Sequence, residues 1–229
     1  MTRKVAGSRA IPFSRISGFA ALGFAALIMT SNLIAVPAGL PSTGADLGEV
    51  TAFFGDRRRE AAIASALTPA AWVLATVFGA GVCSVLWRSE RDRGEAWSLV
   101  GLAGLLLQNT TFAAVVATRL ALASTSTQGP VAASVLWPLH DGLFVLNGTF
   151  LALALLGLSI GGRRGGLLRG WHGAWGLVAA GLLFSSAILA PLAVDGAGPA
   201  PLLGLAGWLM WVVWLVAYGI TLLRVGHTA

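Results

Sequence analysis

Asp141 is the residue of this chain best placed to do chemistry. It lies in the run Trp137-Pro138-Leu139-His140-Asp141-Gly142-Leu143-Phe144-Val145-Leu146-Asn147. That run sits inside an apolar stretch from about 131 to 160 in which Asp141 is the only charged residue. A carboxyl group in hydrocarbon is costly and calls for a reason. Low dielectric disfavours its charged form, and a protonated Asp141 would serve as a general acid. An acid among Trp and Phe faces suits protonation of an alkene or epoxide in an isoprenoid, followed by cyclisation. Aromatic faces stabilise the passing carbocations, and exclusion of water prevents their quenching.

Helical periodicity places Trp137, His140, Asp141, Phe144 and Gly148 on one stripe, with Asn147 at its border. Gln108, Thr111, Phe112 and Arg119 share a face of the preceding span, and Trp211, Trp214 and Tyr218 share one in the last span. The candidate catalytic residues are Asp141 as acid, with His140 and Asn109 to orient it or accept the final proton. The candidate substrate-binding residues are Trp72, Gln108, Thr111, Phe112, Trp137, Phe144, Asn147, Trp208, Trp211 and Trp214. His140 and Asp141 are neighbours in sequence and project about 100° apart on a helix, which argues against a direct dyad. A competing reading makes Asp141 a structural hydrogen-bond partner of Asn109, Gln108 or Arg119, and His140 a packing residue. Tryptophans in membrane proteins usually mark the interfaces. Trp87, Trp97, Trp171 and Trp175 fit that role, whereas Trp72, Trp137, Trp211 and Trp214 sit deeper.

The elements that must position these residues follow from composition. The chain has 229 residues, 56% of them hydrophobic and only 10% charged, against roughly a quarter charged in soluble domains. The fold class is an all-α polytopic membrane bundle of six transmembrane helices, at about 16–40, 61–87, 96–123, 131–160, 174–194 and 202–223. Residues 1–15 form a basic N-terminus, 16–224 the transmembrane domain and 225–229 a short tail. The length of the first span favours a retained helix over a cleaved signal. Residues 46–60 read as an amphipathic helix on the membrane surface. Residues 88–95 read as a charged loop, 161–173 as a glycine-rich basic loop and 195–201 as a tight turn. Thirty glycines suit close helix packing.

Fourteen of the fifteen basic residues are arginines, and eleven of the fifteen fall on the side of the termini. The positive-inside rule therefore predicts both termini cytoplasmic in a cell membrane, with Arg57-Arg58-Arg59 the discordant group. With that topology, Asn109, Thr111, Trp72, Ser185 and Trp211 are expected to share a level with Asp141 in the outer half of the bilayer. Several chemistries are set aside. His140, His172 and His227 lie in separate regions, so no metal site is expected. No phosphate-binding glycine loop or nucleophile elbow is present. No lysine lies in a span, no cofactor is implied, and no basic face with interleaved aromatics suggests nucleic acid. Cys83 is alone and cannot form an internal disulfide; it reads as a packing residue. The expected partners are a hydrophobic small molecule or lipid substrate and membrane lipids. A binding, immunity or accessory protein is the alternative. A small-solute transporter ranks lower, since no internal repeat is visible.

The order of pieces resembles a broad group of uncharacterised bacterial six-helix membrane proteins carrying a domain of unknown function. The resemblance rests on Glu49-Val-Thr-Ala-Phe-Phe-Gly-Asp-Arg-Arg-Arg before the second span, the Leu146-Asn147 region, Arg169-Gly-Trp-His-Gly-Ala-Trp-Gly before the fifth, and Gly207-Trp-Leu-Met-Trp-Val-Val-Trp-Leu-Val-Ala-Tyr in the last. It implies the six-helix architecture and no activity. Size and architecture are also similar to integral membrane terpene cyclases, from which no residue role carries over.

Overall fold

The computed structural model describes residues 11–126, 130–194 and 200–225, and their regular structure is entirely helical. The helices are α1 (Phe13–Ala35), α2 (Leu47–Asp56), α3 (Arg58–Ala66), α4 (Thr68–Arg93), α5 (Trp97–Thr125), α6 (Pro130–Arg164), α7 (Gly170–Ile188), α8 (Ala190–Val194) and α9 (Ala200–Val225). Among the described residues six segments are long and apolar enough to cross a membrane: α1, the consecutive α3 and α4, α5, α6, α7 and α9. The chain is a multi-pass helical membrane protein. Arg3, Lys4 and Arg9, residues 195–199 of the turn expected at 195–201, and residues 226–229 of the tail expected at 225–229 lie outside the described residues.

Local chemistry sets the helix boundaries. The Asp46 carboxylate accepts the Glu49 N–H at 3.0 Å and starts α2. Pro69 falls in the first turn of α4, where its missing N–H costs nothing. Gly94, at φ 67°, adopts the left-handed conformation that ends α4. The expected charged loop at 88–95 is therefore mostly helix, because α4 continues through Arg93 before this glycine stops it. Pro138 lies inside α6 without breaking it.

Small residues let the helices approach. Gly101 and Gly104 of α5 meet Leu158 and Ala154 of α6, and Gly157 of α6 meets Gly101 and the Trp97 carbonyl. Gly18 of α1 lies against the Gly219 carbonyl and Leu223 of α9, and Gly81 of α4 against Ser17 of α1. The core between α1, α4 and α9 is aromatic. Phe24 meets Trp211 edge-on at 5.4 Å, and Phe78 meets Tyr218 at 5.4 Å.

The start of α1 and the last turns of α9 thus lie at one end of the bundle, together with the α4–α5 and α6–α7 connections. The other end carries α2 and α3. The expected surface helix is α2, but it is not simply laid on a membrane. Val50, Phe53 and Phe54 are buried with Leu122 and Ala123 of α5 and Ala133 and Trp137 of α6. Helix α2 is a cap on the bundle.

A Cβ on Gly157 would sit 2.6 Å from the Trp97 carbonyl oxygen, whereas one on Gly142 meets nothing. Gly157→Ala should cost about 1–3 kcal/mol through overpacking and lower the melting midpoint in detergent, while Gly142→Ala should leave it unchanged.

Candidate functional site

Under the cap, three side chains and a backbone amide form a continuous chain of hydrogen bonds. Arg119 of α5 donates from Nε to His140 Nε2 at 2.9 Å. A guanidinium N–H can only donate, so Nε2 accepts and the imidazole proton sits on Nδ1. That N–H points to Asp141 Oδ1 at 3.0 Å. The second oxygen, Oδ2, accepts the Gly44 N–H at 2.9 Å from the loop between α1 and α2. Both oxygens of Asp141 accept hydrogen bonds from within the chain, and His140 links it to Arg119. His140 and Asp141 are 3% and 1% exposed.

The adjacency of His140 and Asp141 argued against a dyad on helical phase, and the structure corrects this. The imidazole lies flat between aromatic rings and so presents Nδ1 sideways to its neighbour. Trp137 stacks on it at 4.5 Å and 9°, and Phe144 continues the stack at 6.0 Å and 7°. Phe112 of α5 meets Phe144 at 6.4 Å. On the cap side Phe54 meets Trp137 at 6.4 Å. The stack therefore runs from the cap into the α5–α6 seam.

The remaining candidates are distributed elsewhere. Asn109 faces α4, donating to the Trp72 carbonyl at 3.2 Å and lying 3.5 Å from Thr76 Oγ1. It is ten residues before Arg119, about 15 Å along α5, so it does not share the level of Asp141. Thr111 returns its hydroxyl to the Leu107 carbonyl of its own helix at 2.9 Å. Gln108 and Asn147 are buried, and the side-chain oxygens of Gln108, Asn109 and Asn147 and the indole N–H of Trp72 lack partners among the described residues. Trp208 and Trp211 pack together toward Phe24, and Trp214 packs on Phe78 and Tyr218. The structure brings together Asp141, His140, Trp137, Phe144 and Phe112, and separates them from Asn109 and the tryptophans of α9.

Two polar features escaped the sequence. Gly44 binds through its backbone, and a backbone amide carries no sequence signal of its distant partner. Glu90 read as part of a loop, yet it is 2% exposed and accepts Ser98 N–H at 2.8 Å and Ser98 Oγ–H at 2.5 Å. The serine at the start of an apolar run after a short gap was the available signal, as a helix start needs an acceptor for its free N–H groups.

Recesses open at both ends of the described bundle. One lies between α2 and the α5–α6 seam, lined by Val50, Phe54, Leu122 and Ala133 among others. The other lies at the opposite end, lined by Ile160, Arg163 and Arg164. Neither is lined by Asp141. Among the described residues no group of three His, Cys, Asp or Glu side chains gathers to hold a metal. No family model, curated protein or solved structure matches the chain.

Removing one member of a buried charge network leaves the other charge uncompensated, at about 3–5 kcal/mol. Asp141→Ala should therefore destabilise strongly and speed amide exchange at Gly44 and through α2. Arg119→Met combined with Asp141→Leu should recover part of the loss, which a double-mutant cycle in detergent would measure.

Proposed function

We propose that the chain is a non-catalytic membrane protein of the binding or accessory type, which presents the α2 cap to a partner. The observation that carries this reading is the complete internal use of the relay. Both oxygens of Asp141 and both nitrogens of His140 are engaged within the chain. A group that serves as general acid must face its substrate, and the observed contacts of Asp141 are to His140 and the Gly44 loop of its own chain. The relay instead tethers the loop that leads into α2, and the outward face of α2 and α3 carries Glu49, Asp56, Arg57, Arg58 and Arg59. These exposed groups are of the kind a protein partner reads. Arg57 pairs with Glu60 at 3.8 Å and Arg58 donates to Ser126 at the end of α5 at 2.7 Å, so two of the three discordant arginines have partners within the chain.

The same reading places the protein in the cytoplasmic membrane with both termini in the cytoplasm, because eleven of the fifteen basic residues fall on that side. A single cysteine introduced at Ala52 should then react with a membrane-impermeant maleimide on intact cells, and one at Arg91 only after permeabilisation. The reverse pattern would sink this orientation. Cys83 is buried and should contribute no background.

A second reading, an isoprenoid- or lipid-modifying enzyme, is favoured by the parallel rings beside Asp141. Its most concrete form is acid-initiated terpene cyclisation. The Gly44 loop would leave, Oδ2 would take up a proton, and that proton would add to a substrate double bond against Trp137 and Phe144. Membranes carrying the protein and a prenylated substrate separate the two readings. The accessory reading expects no product from the wild type, and Asp141→Asn to lower the melting midpoint. Wild-type turnover abolished by Asp141→Asn at unchanged stability would overturn it in favour of the cyclase.

A further inference from the structure

We propose that the end of the bundle opposite the cap binds the phosphate of an anionic phospholipid. The site is the recess at the C-terminus of α6, walled by Ile160, Arg163 and Arg164. It is independent of the Arg119 relay, which lies at the other end.

The two arginines differ in what they already hold. Arg164 donates to Glu95, the same carboxylate that Arg93 engages at 3.0 Å, so one acid is shared by two guanidinium groups. Arg163 has no carboxylate partner among the described residues. Its aliphatic stem lies across Gly173 in the first turn of α7, where any Cβ would collide with its Cγ and Cδ. The stem is therefore seated and the planar head group is left at the rim. A guanidinium fork matches two phosphate oxygens at once.

Three observations favour a lipid as the source of that phosphate. The recess terminates a membrane-spanning helix, and Ile160 gives it an apolar wall on the bilayer side. Trp87 and Trp171, 51% and 58% exposed, stand at the same end and mark the interfacial level. Arg88, Arg91, Arg169 and Arg224 are exposed on helix ends at the same end of the bundle, and each basic residue near such a surface draws anionic headgroups.

The full chain is purified after equilibration with vesicles of phosphatidylcholine and phosphatidylglycerol, and retained lipid is counted by native mass spectrometry. The wild type should retain phosphatidylglycerol in excess of its share. Arg163→Gln with Arg164→Gln should lower that retention about tenfold or more. Gly173→Ala should lower it too, by displacing Arg163 with no change of charge. Arg59→Gln, a charge loss at the other end, should leave it intact. Undiminished retention in the double variant overturns the proposal, as does an equal loss with Arg59→Gln, which would show diffuse attraction. Millimolar inorganic phosphate should fail to displace the lipid; displacement would identify a free-oxyanion site and overturn the lipid assignment. Should Gly173→Ala fail to fold, the double variant decides alone, since both arginines are exposed.

Discussion

A charge buried in a membrane protein has to be answered within hydrogen-bonding distance, because no solvent is present to answer it. Arg119 and Asp141 meet that requirement without touching each other. A neutral histidine, held in one tautomer by the guanidinium on one side and the carboxylate on the other, carries the polarisation between them. Its ring is fixed by Trp137 and Phe144, so the geometry of the pair depends on aromatic stacking as much as on charge. The fourth member, the Gly44 amide, is what couples this interior chemistry to a segment outside the spans.

The other end of the bundle repeats the device with different residues. Glu90 is buried without a basic partner among the described residues, and it accepts both the backbone and the side-chain donor of Ser98. Those donors sit in the first turn of α5, where the helix leaves N–H groups unpaired and carries partial positive charge. Cys83 donates to the Ser98 carbonyl at 3.2 Å, so the same turn is held from both directions. In each case an acid that looks like a liability in hydrocarbon is bound to the backbone of another segment. Asp141 secures the approach to the cap, and Glu90 secures the turn from α4 into α5. The glycines at 101, 104 and 157 then bring α5 and α6 close enough for the seam between these two anchors to be continuous.

The six spans were legible because hydrocarbon imposes a length and a composition that the chain displays openly. The stripe of Trp137, His140 and Phe144 was legible too, since helical phase alone places them together. The fate of Asp141 was not. Periodicity gives the direction in which a side chain leaves its helix, not the rotation of a stacked imidazole that reaches its neighbour. Nor does it place Gly44, ninety-seven positions away. The shared level of Asn109 and Asp141 failed for a related reason. Depth counted from helix ends carries an error of a few residues at each end, and the true register between α5 and α6 is set by which glycines meet which backbone. That register pairs Arg119 with His140 and Phe112 with Phe144, leaving Asn109 to bond across to α4.

The two ends of the molecule now contrast in a way that bears on function. At the cap end the strong charges inside the bundle are neutralised internally, and the aromatic faces are covered by Phe54 and its neighbours. At the opposite end the acids are few and partly buried, while arginines stand at the surface in excess. The two outer surfaces differ accordingly: α2 and α3 expose charges of both signs, and the opposite end exposes mostly arginines. The accessory reading proposed above draws on that difference, with one face for a partner, the other for lipid, and the helical bundle between them.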